Sequence, residues 1–341
     1  MSETLDTLGA TSAPPHCPRT GLIEGFAVDA RGVATPLSRQ ELIDGDGVTP
    51  PEGGYLWLHF ALECARSWLP GHLDLDEATL RLLLAEETRP SCVQHEDGLL
   101  MNLRGVNLNE GRSPEDMLSI RIHLAPGRLI TVRKQRSRAI EDIRHELRKG
   151  AAPRDAGSLL LRLIGGLTDR LEPVVDALSD RVDALEELSL RADTEDLRGE
   201  LSAMRHDAIV FRRYVAPQRE AVTRFSMNEA GLLSKKTLQS VRDEAERVTR
   251  VVEELDITRE RAGVIYEQIA ARRADEMNRN MMIISVVSAV FLPLSFVTGL
   301  LGINVGGMPG AQSDAAFWLV CLLCAALGVA LLLVFRRMGW L

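Results

Sequence analysis

Two long apolar runs near the C-terminus constrain the fold of this chain more than any other feature. They occupy residues 281–301 and 315–335, and each is 21 residues long. A helix needs about 20 apolar residues to cross the hydrocarbon core of a bilayer. Between Asn280 and Phe335, Asp314 is the one side chain with a clear charge. The two runs therefore predict two transmembrane helices joined by a short loop.

Basic residues flank the outer ends of this pair of runs. They are Arg272, Arg273 and Arg279 before the first run, and Arg336 and Arg337 after the second. The connecting loop contains no Lys or Arg. Because positively charged flanks stay on the cytoplasmic side, we predict a multi-pass protein of the inner (cytoplasmic) membrane with both termini in the cytoplasm. The first 20 residues lack the apolar core of a secretory signal, which agrees with this orientation.

The residues before the first run divide into a mixed part and a helical part. Apolar and polar residues alternate on both sides of Pro126-Gly127, which predicts a β-hairpin. From residue 158 onward, apolar residues recur every three or four positions, which is the helical period. The sequence therefore predicts an α/β cytoplasmic domain followed by long stalk helices and two C-terminal transmembrane helices.

The predicted organisation has seven segments. They are a disordered tail (1–20), a cytoplasmic α/β domain (21–157), long cytoplasmic helices ending in the stalk (158–280), a first, pore-lining transmembrane helix (281–301), a periplasmic loop (302–314), a second transmembrane helix (315–335) and a basic cytoplasmic C-terminus (336–341). The last stalk helix has no strong breaker after Leu232, so it is predicted to continue into the membrane. A helix of about 70 residues is roughly 100 Å long and must bury its apolar stripe against partners, which predicts an oligomer.

Two transmembrane helices cannot enclose a hydrophilic path, so several copies of the chain must assemble if the spans do more than anchor it. One face of the first predicted span carries most of its small and hydroxyl side chains. We predict that this stripe lines a pore, and the alternative is simple helix packing through small residues. The stripe consists of Asn278, Met281, Ser285, Ser288, Leu292, Ser295 and Gly299.

The same helical face carries acidic residues before the membrane. These cytoplasmic funnel candidates are Glu253, Asp256, Glu260 and Glu267. A column of carboxylates repeated by symmetry would concentrate cations, whereas the alternative is an ordinary solvated helix face. None of the seven histidines has metal-ligand spacing, and His206 is the best candidate for a metal ligand on the funnel wall.

Motifs for other functions are absent from the sequence. It contains no Walker A lysine loop, no HExxH and no nucleophile elbow. We therefore expect no enzymatic activity, no bound cofactor, no nucleic-acid partner and no ATP-driven step. Any ion movement through the predicted pore would follow an ion gradient or the membrane potential, and its direction and proton coupling stay open.

Three stretches resemble the CorA superfamily of divalent-cation transporters. The segments "GINVGGMPG", "FRRYVAPQRE" and "RRMGWL" are closest to the ZntB branch of zinc transporters. The signature Gly-Met-Asn of the superfamily stands here as Gly302-Ile303-Asn304, with Ile303 in the place of Met. The resemblance implies a homopentamer with a funnel-shaped cytoplasmic domain, first spans around the pore and transported Zn²⁺. A magnesium or broad divalent-cation channel of the same fold is the first alternative, and a membrane-anchored helical sensor or scaffold without conduction is the second.

The resemblance also implies a ring of Asn304 side chains at the outer entrance of the pore. A carboxamide oxygen is a neutral acceptor, so five of them could bind the water around a hydrated dication. Weak capture of this kind avoids the large free energy of full dehydration. The alternative is a tight turn in which Asn304 satisfies local backbone groups.

Overall fold

The computed structural model describes residues 21–38, 40–41, 49–95, 98–191, 195–227, 232–303 and 313–339. The chain forms two compact units, Met1–Ile265 and Tyr266–Leu341. The predicted tail, residues 1–20, lies outside the described residues. The predicted fold class is confirmed, because a sheet domain is followed by long helices and then by an apolar C-terminal helix. The other segment boundaries given above stay predictions.

Seven strands form one sheet in the first unit, in the order β2-β1-β3-β7-β6-β5-β4. The strands are β1 Leu22–Val28, β2 Ala34–Pro36, β3 Tyr55–Ala61, β4 Ser91–His95, β5 Gly98–Gly105, β6 Leu118–Ala125 and β7 Arg128–Arg133. Strands β3 and β7 are parallel, and every other neighbouring pair is antiparallel. The parallel pair requires a long connection, which the rest of the sheet and two helices supply.

The predicted hairpin is confirmed in β6 and β7. Ala125 pairs with Arg128 across the turn. Gly127 has φ of 69°, a left-handed conformation that side chains disfavour. The turn therefore uses a glycine where the backbone requires one, and the alternating pattern on either side fixes the register of the two strands.

The helices follow the sheet and extend to the end of the chain. They are α1 Leu62–His72, α2 Glu77–Leu83, α3 Arg138–Arg148, α4 Ala156–Arg191, α5 Glu195–Ser226, α6 Lys235–Leu301 and α7 Asp314–Arg337. Asp76 caps the start of α2, because its Oδ1 accepts hydrogen bonds from the backbone N–H of Ala78 at 2.8 Å and of Thr79 at 3.0 Å. Helix α6 is one element of 67 residues.

The sheet is covered on both faces. Successive residues of a strand point to opposite sides, so Trp57 of β3 joins one buried cluster and Leu58 joins another. The larger cluster packs the sheet against α3 and α4, with residues of α5 and α6. The smaller one packs the sheet against α1, through residues such as Trp68 and Leu69. The first unit is thus a layered α/β domain.

A third cluster joins the helices to one another. It contains Val175 of α4, Phe211 and Val215 of α5, and Val248 and Leu255 of α6, all of them buried. Apolar residues at helical spacing therefore find partners inside the same chain. This part of each helix is buried without a second copy, whereas Ile209 of α5 and Ile257 and Val264 of α6 are exposed in the single chain.

Ion pairs reinforce the packing of α4 against α6. Arg247 of α6 donates from Nη2 to Asp169 at 2.8 Å and to Glu172 at 2.6 Å, both on α4. Its Nη1 also donates to Glu244 at 3.2 Å. These bonds raise the pKa of the Arg247 guanidinium, with the Glu172 bond as the largest cause. The cation stays charged and holds three carboxylates in register.

The second unit contains the end of α6 and all of α7. Two helices, Lys235–Leu301 and Ala315–Arg337, are long and apolar enough to cross a membrane. Among the described residues after Ile269, the buried ones are Val286 and Phe335. Large apolar side chains such as Phe296 and Trp318 are exposed within the chain. This pattern is the one expected of helices whose surface is covered by lipid or by other copies.

Candidate functional site

The predicted pore stripe lies on the last part of α6, which is unbroken up to Leu301. Its seven side chains are all exposed in the single chain: Asn278, Met281, Ser285, Ser288, Leu292, Ser295 and Gly299. Leu292 has the largest exposed fraction among the stripe's apolar side chains, 70%. Because the helix is continuous, the residues keep the helical spacing that aligns them on one face.

A different face of α6 is covered inside the second unit. Val286 is buried there, and its half-buried neighbours are Met282, Ala289, Val290, Pro293, Leu294 and Val297. A Cβ atom added to Gly328 of α7 would lie 3.9 Å from Cδ1 of Leu294, an ordinary van der Waals contact. At about 100° per residue, this covered face is rotated by roughly a third of a turn from the stripe. Contact with α7 therefore leaves the stripe uncovered.

The Gly302-Ile303-Asn304 motif begins at the end of α6. The N–H of Gly302 donates to the carbonyl of Thr298 at 2.9 Å and to that of Gly299 at 3.2 Å. A Cβ atom at position 302 would lie 3.0 Å from the Thr298 oxygen, which is too close for a comfortable contact. Ile303 follows with an exposed side chain. Asn304, on which the proposed entrance depends, lies outside the described residues.

The four acidic candidates on α6 are not equivalent. Glu253, Glu260 and Glu267 have exposed side chains and form no ion pair with any described residue. Asp256 Oδ1 accepts from Nε of Arg212 on α5 at 2.6 Å and lies 3.4 Å from Nη2 of Arg259. Its charge is therefore partly neutralised within the chain, whereas the other three carboxylates face solvent.

His206 is exposed on α5 and stands without a metal-binding group around it. In the parts of the chain that the structure describes, no set of three or more His, Cys, Asp or Glu side chains has an arrangement that could hold a metal. The pKa of neighbouring Asp207 is raised, mainly by burial and then by the charge of Glu115. A metal site at His206 stays a prediction that would need ligands from another copy.

Histidines of the sheet have structural roles. His59 is fully buried, and its Nδ1 is 2.8 Å from Oγ1 of Thr131. Burial lowers the pKa of His59 well below its usual value, with smaller effects of Arg133 and Arg144, so the ring is neutral. His95 Nε2 lies 2.9 Å from Oδ1 of Asp76, the residue that caps α2.

Comparison with known proteins agrees with this architecture. The family model for the CorA-like Mg²⁺ transporter protein matches residues 52–337. The divalent cation transporter CmaX of Pseudomonas aeruginosa is 37% identical, over 94% of this chain and 97% of CmaX. The zinc transport protein ZntB of Pectobacterium carotovorum is 31% identical, over 94% of this chain and 97% of that protein.

A solved structure gives the same result in three dimensions. The full-length CmaX structure superimposes with a TM-score of 0.81 and 35% sequence identity, covering 95% of this chain and 100% of CmaX. The two-helix C-terminal unit therefore belongs to the shared fold and is not an addition to a soluble domain. From the match over most of its length, the chain belongs to the family of CorA-like Mg²⁺ transporter proteins.

Proposed function

We propose that this chain transports divalent cations across the cytoplasmic membrane, with Zn²⁺ as the cargo, through a pore formed by five copies. Membership of the CorA-like family makes it a divalent-cation transporter, and the family is one of transporters. The observation that carries the proposal is the stripe of seven exposed residues on the last part of α6. Its small and hydroxyl side chains are left uncovered by the only other apolar helix in the described chain.

The stripe suits passage of a hydrated ion. Three serines supply hydroxyl groups, and none of the seven side chains carries a charge that would trap a dication. Leu292 is the bulkiest apolar member that is also largely exposed, so a ring of five copies would narrow and dry the path. A pore of this kind opens when the ring widens and closes by excluding water.

The choice of Zn²⁺ over Mg²⁺ rests on the resemblance to the ZntB branch, since CmaX, at 37% identity, is named a divalent cation transporter with no metal specified. The chain is 31% identical to a ZntB zinc transport protein over nearly its full length. Ile303 stands where magnesium members of the superfamily usually have Met. The magnesium or broad divalent alternative keeps the same pore and differs in which ion is accepted at its entrance.

The direction of transport is determined by the driving force. No carboxylate lies within residues 281–301 or 315–335, so neither predicted span contains an Asp or Glu proton relay. Proton coupling would have to act through groups outside the spans. We propose gradient-driven movement of Zn²⁺, and imposed pH gradients of both signs separate coupled from uncoupled flux.

The decisive experiment measures Zn²⁺ flux into proteoliposomes for the wild type and Asn304→Ala. If a ring of Asn304 captures the hydrated ion, the substitution should abolish most of the flux while leaving the oligomer intact. Ser313→Ala is the matched control, because Ser313 lies in the same loop and its side chain forms no capping hydrogen bond. Adding Mg²⁺ together with Zn²⁺ in the same assay tests which of the two ions the protein prefers.

Each alternative function has a distinct outcome in this assay. Equal competition by Mg²⁺ would favour the broad divalent channel. An absence of any flux from a correctly assembled oligomer would favour the membrane-anchored sensor or scaffold. Unchanged Zn²⁺ flux in Asn304→Ala would remove the entrance ring from the mechanism.

A further inference from the structure

A basic cavity of about 550 Å³ lies in the first unit, and none of its lining residues belongs to α7 or to the pore stripe of α6. Four cations from separate parts of the chain line it: Arg89 after α2, Arg104 on β5, Lys134 after β7 and Arg213 on α5. The volume is within the range of about 300 to 1,000 Å³ found for small-molecule sites. None of the four is among the predicted pore or funnel residues.

The four cations have no carboxylate partner among the described residues, unlike many other arginines of the first unit. Arg162 pairs with Glu146 at 2.6 Å, and Arg247 pairs with Glu172 at 2.6 Å. In contrast, none of the four lies within 4.0 Å of a carboxylate oxygen from a described residue. The lining also contains two acidic residues, Glu86 and Glu87.

These two carboxylates do not cancel the positive charge of the cavity. Glu86 is engaged with Arg66 at 3.2 Å, which lies outside the lining. Glu87 is exposed, and its charge has the smallest effect among the causes that act on the pKa of Arg104. The cavity therefore keeps a net positive charge.

Hydrogen bonds to neutral groups hold Arg104 in position without neutralising its charge. Arg104 donates from Nη1 to the carbonyl of Met117 at 2.9 Å and from Nη2 to that of Thr88 at 2.5 Å. Its Nε is buried and has no hydrogen-bond partner in the described structure. The Arg104 guanidinium also lies 4.8 Å from the ring centre of Tyr214, and that of Arg213 lies 4.9 Å from the same centre.

Arg121, which is fully buried, holds the segment that precedes Arg89. Arg121 donates from Nη2 to the carbonyl of Ala85 at 2.6 Å and to that of Glu86 at 2.9 Å. Burial lowers the pKa of Arg121 to about 10, with smaller effects of Arg104 and Arg66. It stays charged at neutral pH and adds to the positive potential behind the cavity.

The segment "FRRYVAPQRE" builds one wall of this cavity. Its Phe211 and Val215 are buried between helices, whereas Arg213 and Tyr214 face the cavity. Gln218, from the same segment, accepts a hydrogen bond from the backbone N–H of Arg104 at 2.6 Å. Arg213 and Tyr214 of this motif thus line the cavity, whereas Arg212 pairs with the funnel candidate Asp256.

We propose that the basic cavity binds the phosphate group of a soluble small molecule, either free phosphate or a nucleotide. Guanidinium groups present paired N–H donors that fit phosphate oxygens, and a lysine adds a point charge. Four like charges held at one cavity repel each other, and a bound dianion relieves that repulsion. The inference does not depend on which cation is transported.

The test is calorimetric titration of the full-length protein in detergent with inorganic phosphate and, separately, with ATP. Metal ions are removed, and ionic strength is held constant with chloride. The cavity variant is Arg89→Gln combined with Lys134→Gln, because both side chains are exposed and support no other described group. The matched control is Arg112→Gln combined with Lys149→Gln, which removes the same charge from exposed positions outside the cavity.

We expect saturable binding in the wild type and in the control, and binding weaker by about tenfold or more in the cavity variant. If both phosphate and ATP bind, the phosphate group alone is sufficient for binding. If only ATP binds, the ligand is a nucleotide. An equal thermal unfolding midpoint for all three proteins excludes misfolding. The proposal is overturned if neither compound binds at millimolar concentration, or if the cavity variant binds as tightly as the control.

Discussion

Leu255 and Leu292 lie on the same helix, α6, and have opposite environments. Leu255 is fully buried against α4 and α5, whereas 70% of the Leu292 side chain is exposed within the chain. Both sit in stretches with helical apolar spacing. The first region of α6 finds its partners inside the chain, and the second must find them in lipid, in water or in other copies. Apolar periodicity alone identifies a helix without identifying what covers it.

The largest expected effect comes from replacing one leucine by alanine in each of the two regions of α6. Leu255→Ala removes a buried side chain and should lower the free energy of unfolding by about 2 to 5 kcal/mol. Leu292→Ala removes an exposed side chain and should leave that free energy unchanged, while Zn²⁺ leaks faster through a wider, wetter constriction. Urea unfolding of the full-length protein, followed by tryptophan fluorescence, and flux from proteoliposomes measure the two effects.

The two variants can contradict this contrast between the regions of α6 in two ways. An equal loss of stability in both variants would mean that Leu292 is buried in the assembled protein. Normal flux in Leu292→Ala would remove it as the constriction. Each outcome changes the role assigned to one region of α6 and leaves the other intact.

A smaller effect is expected from pH, and it is confined to the first unit. His123 is buried, and burial, followed by Arg128, lowers its pKa to about 4; Asp76 opposes this and His95 adds to it. Between about pH 6.5 and pH 4, the unfolded chain binds a proton that the folded chain does not. Stability therefore falls as the pH falls through this window, by about 1.4 kcal/mol per pH unit for this group.

His123→Gln should remove that part of the pH dependence. The slope of unfolding free energy between about pH 7 and pH 5 should decrease without disappearing, because His59 is also buried with a lowered pKa. Urea titrations at several pH values measure it. A slope identical to that of the wild type would show that His123 does not carry the effect.

The smallest effect is expected on the acidic face of α6. Neutralising the exposed Glu253, Glu260 and Glu267 with Gln should raise the half-saturating Zn²⁺ concentration a few-fold at low salt and by less at high salt. Asp256→Asn should change it less, because Arg212 already offsets that charge. Flux measured at two ionic strengths tests both variants. If the triple variant shows no change at low salt, these residues form an ordinary solvated helix face and do not concentrate cations.

Local patterns predicted the fold well. The hairpin turn at Pro126-Gly127 has the left-handed glycine that its sequence indicates. The absence of a breaker after Leu232 correctly predicted a single long helix into the first apolar run. These features depend on residues close together in sequence, so they can be read without knowing the packing.

Contacts between distant segments could not be predicted. Asp256 belongs to the predicted acidic column, but its partner Arg212 is 44 residues away and comes close only when α5 packs against α6. The basic cavity combines cations from four segments, and no spacing in the sequence connects them. The motif around Arg213 was visible as a family resemblance, and its role required the fold.

The end of α6 divides its motif into two kinds of position. Gly302 is confined by the Thr298 carbonyl, so a larger side chain there would disturb the backbone itself. Ile303, with half of its side chain exposed, meets no such restriction. A substitution at Ile303 can therefore test the proposed role of this position in ion preference without disturbing the helix end that presents it.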